Sequence, residues 1–168
     1  MSRNTLRSHH LVRRQVGPDS DCSRRVFISH STKDRSFVRR LLEILRQEGI
    51  CYWYSETDIP AGADWHDEIG RALKACDRFL IILSPNAVGS VWVKRELRYA
   101  LRRYRQDNRI VPVLYRDCKL ERLSWVLPDF QYIDCRKGLK TERERLLQAL
   151  RRCSRTPKRQ RRSSAVRS

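Results

Sequence analysis

Apolar residues along this chain fall into short runs separated by amphipathic stretches. Arg25-Val26-Phe27-Ile28-Ser29 is a short apolar run of buried-strand type. After it, Ser31 or Thr32 is placed to cap a helix. In that helix Phe37, Val38, Leu41, Leu42 and Leu45 recur at helical spacing through about Gln47. Gly49 stands where a helix C-cap calls for a left-handed residue. Ile50–Trp53 predicts a second strand, and a loop from Tyr54 to Ala63 follows, carrying Pro60 and Gly62. Trp65, Ile69, Ala72 and Leu73 mark a second helix, and Arg78–Leu83 a third strand, the most apolar of them. Ser84-Pro85 stops that strand and caps a short turn. A third long helix is predicted from Ser90 to Tyr104, and a fourth strand over Ile110–Leu114. Residues 117–128 look irregular with one helical turn, and Gln131–Ile133 is a short fifth strand. Thr141 caps a last helix through Arg152, with Leu146, Leu147 and Leu150 facing inward.

Five short apolar strands alternating with helices predict an α/β domain, a parallel sheet covered on both faces. Right-handed crossovers restrict it to a few doubly wound orders, in which ligands sit beyond the carboxyl ends of the strands. The site is therefore expected in Ser29–Asp34, Tyr54–Trp65 and Ser84–Glu96.

Charge adds a division of the chain. The 168 residues carry 37 Lys plus Arg against 19 Asp plus Glu, a net +18. Residues 1–24 hold net +3 and residues 151–168 net +8, so more than half of the excess lies at the two ends. The expected organisation is a flexible basic lead-in over 1–23, one domain over 24–153, and a disordered basic tail over 154–168. Six cysteines, at 22, 51, 76, 118, 135 and 153, form no CxxC pair and have no His at metal-ligand spacing. No apolar run reaches the length of a membrane span, and the first residues do not read as a secretory signal. The chain is thus expected to be cytoplasmic and reduced, with Cys51, Cys76 and Cys135 serving as core packing.

The third long helix carries the most informative chemistry. Its apolar stripe is Val93, Leu97, Ala100, Leu101 and Tyr104. At about 100° per residue, Trp92 and Glu96 fall roughly 80–120° from the centre of that stripe, one turn apart on the same flank. Spacing alone leaves two readings open, a packed Trp beside a solvated Glu or an aromatic and a carboxylate presented together to a ligand. On that flank, loss of Glu96 is expected to change stability little. The loop Asp58-Ile-Pro-Ala-Gly-Ala-Asp-Trp65 holds no phosphate-cradling glycine pattern.

Three segments in order, Arg25-Val-Phe-Ile-Ser-His30-Ser, Asp58–Trp65, and Ser84-Pro85 with Ser90-Val-Trp-Val-Lys-Arg-Glu96-Leu97, resemble a bacterial-type TIR (Toll/interleukin-1 receptor) domain over about residues 24–152. The resemblance implies a flavodoxin-like five-stranded parallel sheet. It also implies two alternative functions, NAD+ hydrolysis or non-catalytic signalling through TIR–TIR contacts. NAD-cleaving members carry a Glu on the third helix with an aromatic one turn before it, the places of Glu96 and Trp92. The resemblance then makes Glu96 catalytic, with Trp92 stacking on the nicotinamide or shielding the site. Ser29, His30, Ser31, Ile59 and Gly62 line the rest. Asp58, Pro60, Ala61, Ala63 and Asp64 complete the interaction loop between copies. NAD+ enters as substrate, with no cofactor and no metal. The expected partners are a second copy, other TIR proteins and, for the basic tail, a polyanion.

Nicotinamide leaves as a neutral molecule from a cationic ring, so one carboxylate suffices where ordinary glycosidases need two. The bland alternatives are a capping or core-edge role for His30, a capping role for Ser84 and a packing role for Trp65. A response-regulator receiver shares the topology but needs an acidic cluster after the first strand and an Asp ending the third. Ser29-His30-Ser31 and Ser84 stand there instead.

Overall fold

The computed structural model describes residues 25–55, 64–104 and 108–151. Ten elements order the site: β1 (Arg25–Ser29), α1 (Arg35–Gln47), β2 (Cys51–Trp53), α2 (Trp65–Ala75), β3 (Arg78–Leu83), α3 (Pro85–Gly89), α4 (Val91–Tyr104), β4 (Ile110–Leu114), β5 (Ile133–Asp134) and α5 (Arg143–Arg151). The strands form one five-stranded sheet in the order β2-β1-β3-β4-β5, and every pair is parallel. Strand order reverses between β1 and β3, so the crevice opens beyond Ser29 and Leu83.

Alternation along the strands feeds two cores. Phe27, Phe79, Ile81 and Leu83 pack with Ile69, Leu73, Val93 and Leu97 from α2 and α4. Val26, Ile28, Leu80 and Ile82 pack with Leu41, Leu45, Leu146 and Leu150 from α1 and α5. A period of two on a strand covered on both sides makes nearly every position apolar, and β3 is buried throughout. Gly49 takes φ +65°, the left-handed C-terminal residue expected after α1.

Three boundaries depart from expectation. The first helix begins as a 3-10 turn over Thr32–Asp34 capped by Ser31, and the α-helix proper starts at Arg35. The last strand pairs Ile133 with Val113 and Asp134 with Leu114, later than the Gln131–Ile133 expected, because register with β4 decides where a two-residue edge strand lies. The last helix starts at Arg143 rather than beside Thr141, and Glu48 at the end of α1 pairs with both Arg143 and Arg151.

The cysteines divide. Cys76 and Cys135 are buried and outside any disulfide, as expected. Cys51 is disulfide-bonded, a correction to its reading as plain core packing in a reduced chain. It opens the edge strand β2 and is half-buried, where the other two are buried. Among the described residues no helix is long and apolar enough to cross a membrane.

Candidate active site

Alternation along β1 turns Ser29 to the same face as Phe27, toward α4. Its hydroxyl, fully buried, donates to Glu96 Oε2 at 2.6 Å. Val93 and Leu97 anchor the buried stripe of α4, so Glu96, between them on the flank, comes to the edge of the core. There its side chain keeps some exposure, yet its carboxyl lies deep enough for burial to push its pKa from the ordinary 4.5 to about 7. The Ser29 hydrogen bond opposes that shift without cancelling it.

Trp92, one turn earlier, is half-buried. Its ring centroid lies 4.8 Å from that of His66, and the Arg95 guanidinium carbon sits 5.0 Å from it. Two devices fix α2, which brings His66 there. Asp64 caps its start, accepting from the His66 and Asp67 backbone N–H groups at 2.8 and 3.2 Å. Those bonds, Asp67 first, hold the Asp64 carboxyl below the usual range. At the other end the Tyr104 hydroxyl meets the Cys76 carbonyl at 2.6 Å and the Leu73 carbonyl at 3.1 Å, tying α2 to the end of α4.

A second carboxylate lies beneath the crevice. Asp34 is 1% exposed and accepts from Ser84 Oγ at 2.5 Å and Asn86 Nδ2 at 2.7 Å. Ser84 Oγ in turn caps α3 by accepting from the Ala87 N–H at 3.0 Å. The loop after β1 is thereby tied to the loop after β3 at the point where strand order reverses. Ser31 is spent on its own cap, accepting from the Lys33 N–H at 3.4 Å. His30 packs against Tyr54, with ring centroids 5.1 Å apart, and Tyr54 belongs to the core on the α1 side.

The family model of the TIR domain matches residues 26–151. The chain belongs to the TIR domain family. Curated relatives include the probable 2' cyclic ADP-D-ribose synthase TcpO of Methanobrevibacter olleyae, 25% identical over 59% of this chain and 29% of its own. The NAD(+) hydrolase TcpC of Escherichia coli is 29% identical over 58% of this chain and 33% of its own. The 2' cyclic ADP-D-ribose synthase BtTIR of Bacteroides thetaiotaomicron is 30% identical over 59% of this chain and 35% of its own. The chain thus spans about a third of the length of these relatives. Among solved structures, the TIR domain of the Toll-related receptor TRR-2 of Hydra magnipapillata superposes with a TM-score of 0.65 at 24% identity, covering 76% of this chain and 98% of that one. That likeness bears on the fold, and it agrees with the flavodoxin-like sheet expected from the sequence.

Within this TIR domain the expected residues separate. Ser29 and Glu96 meet through their hydrogen bond, and Trp92 stands one turn before Glu96 on α4 with its ring against His66. Ser31 and Asp64 are helix caps, and His30 is set against Tyr54. Asp58, Ile59, Pro60, Ala61, Gly62 and Ala63 lie outside the described residues, as do the side chain of Trp65, the lead-in and the tail. His66, Arg95, Asp34 and Asn86 are new to the site. The Ser-x-x-Asp after β1 and the Ser-Pro-Asn after β3 carry a signal for the last two, since short polar residues beyond two adjacent parallel strands face each other. His66 and Arg95 carry none, because their place depends on how α2 docks on α4.

Proposed function

We propose that this TIR domain cleaves the nicotinamide–ribose bond of NAD+, with Glu96 as the catalytic carboxylate, giving nicotinamide and ADP-ribose in linear or cyclised form. The observation that carries this reading is the carboxyl of Glu96, desolvated at the core's edge and held by Ser29. A carboxylate solvated on an outer helix face has no such environment. The names of the relatives, hydrolases and cyclic ADP-ribose synthases, point to the same substrate.

The chemistry follows from the geometry. Ionised Glu96 is costly in the empty site, with a pKa near 7. A nicotinamide ribosyl group brings positive charge beside it and favours the ionised form, so substrate and carboxylate stabilise each other. As the bond lengthens, that charge moves onto the ribose as an oxocarbenium-like centre, and a fixed anion near the sugar stabilises it. The Ser29 hydroxyl orients the carboxylate. With His66 and Arg95 already against its ring, Trp92 is a wall that screens Glu96 from water rather than a bare stacking platform. The site is completed by a second copy of the domain, through the loop that contains Asp58–Ala63.

The experiment is NAD+ consumption with nicotinamide release, followed across a protein dilution series for the wild type and Glu96→Gln. Release that rises per molecule with concentration and disappears in folded Glu96→Gln supports the reading. Release by Glu96→Gln at the wild-type rate overturns the role of Glu96. No release at any concentration overturns the enzyme in favour of a signalling adaptor.

A further inference from the structure

The outer face of α4 has a charge pattern of which the NAD+ reading uses only Arg95, against the Trp92 ring. At about 100° per residue, Lys94, Arg95, Arg98 and Arg102 fall within an arc of roughly 100°, opposite the buried stripe of Val93, Leu97, Ala100 and Tyr104. Arg95, Arg98 and Arg102 are exposed and Lys94 is half-buried. The only carboxylate on the helix, Glu96, is turned away to Ser29.

Several other surface arginines are neutralised. Arg46 pairs with Glu43, Arg71 with Glu68, Arg136 with Asp117 and Asp134, Arg143 and Arg151 with Glu48, and Arg145 with Glu142. Among the described residues no carboxylate pairs with Lys94, Arg95, Arg98 or Arg102. The helix dipole accounts for cations in the last turn, such as Arg102, but not for Lys94 and Arg95 in the first half of the helix or Arg98 at its middle. Four like charges kept together without counter-ions repel one another, so they call for an anionic partner with several charges in a row.

We infer that the outer face of α4 is a docking surface for the phosphate backbone of a nucleic acid. From Lys94 to Arg102 the stripe runs about 12 Å along the helix. One strand of duplex DNA presents a phosphate about every 3.4 Å of its axis, so the stripe meets about three. An identical copy is a poor occupant, since residues 25–150 carry 24 basic against 17 acidic side chains and bring like charge. A membrane is a poor occupant too. The apolar face of α4 is spent in the core, and Val91, 60% exposed, is the sole exposed apolar side chain at the stripe.

The test uses the full chain, both ends included, and a labelled 20-base-pair duplex of arbitrary sequence. Binding is followed by anisotropy from low to moderate salt without NAD+, so the result does not depend on the enzyme reading. The double variant Arg98→Gln with Arg102→Gln is compared with Arg46→Gln with Arg145→Gln. The second pair removes equal charge from α1 and α5, across the sheet. Thermal melting verifies that both variants fold.

The expected result is that the α4 variant loses about 2 from the slope of log K against log salt, with at least tenfold weaker binding at low salt. The control should stay within about twofold. Equal loss in both variants, or none in the α4 variant, overturns the assignment and leaves the basic ends as the sole contact. Vesicles containing phosphatidylserine that depend on Arg98 and Arg102 where the duplex does not overturn it in favour of a membrane.

Discussion

Replacing Glu96 by Gln should stabilise the folded protein, and by more as the pH rises. The folded-state pKa of about 7 stands above the ordinary 4.5. A carboxyl with a raised folded pKa favours the fold fully below its unfolded pKa, and that contribution is lost as pH climbs through the folded one. The window is therefore pH 4.5 to 7. Two and a half units correspond to roughly 3 kcal/mol at most, since one unit is about 1.4 kcal/mol. The partial exposure of the side chain lowers the realised value. Glutamine keeps the shape, and its carbonyl oxygen still accepts from Ser29. It thus removes the charge while retaining the contact. Urea unfolding of both proteins at pH 5, 6, 7 and 8 measures the effect, provided m is unchanged. The difference should be below about 1 kcal/mol at pH 5 and grow to about 1–3 kcal/mol in favour of Gln at pH 8. A difference that does not change with pH would refute the claim that burial controls this carboxyl. Such a result would return Glu96 to the solvated flank that its helical position alone suggested, where its loss changes stability little. The same substitution is expected to end NAD+ cleavage, so stability gained and activity lost would come from one atom exchange.

Two further outcomes follow from the hydrogen bonds. The kcat/KM for NAD+ cleavage should rise with pH through about 7, the free-enzyme pKa of Glu96, and Ser29→Ala should move that rise to higher pH because the bond favours the ionised form; an unmoved profile in an active Ser29→Ala protein contradicts the assignment. Asp34→Ala should destabilise the domain by about 1–3 kcal/mol by orphaning the buried Ser84 hydroxyl and freeing the Asn86 amide, while Asn86→Ala alone should lower stability less; denaturant unfolding gives both numbers.

The sequence by itself determined the layers of this protein. An unbroken apolar run such as Phe79–Leu83 suits a strand covered on both sides, and stripes such as Phe37–Leu45 suit helices that cover it. These are local periodicities, which a reader recovers without knowing any distant contact. The caps were legible on the same ground, because Ser31, Ser84 and Gly49 act within a few residues of themselves. Glu96 and Trp92 were legible as a pair on one flank, and their chemistry came from likeness to a family.

The tertiary structure decided what those residues meet. The packing of α4 on the sheet set Ser29 against Glu96, and register across β1 and β3 set Ser84 against Asp34, over separations of 67 and 50 residues. The docking of α2 on α4 put His66 on Trp92. It also settled which side of the sheet each loop residue serves, so Ser29 turned to the carboxylate while its neighbour His30 turned to Tyr54. The start of β5 escaped the sequence for the same reason. A two-residue strand takes its register from a neighbour distant in sequence, and no local pattern encodes that neighbour.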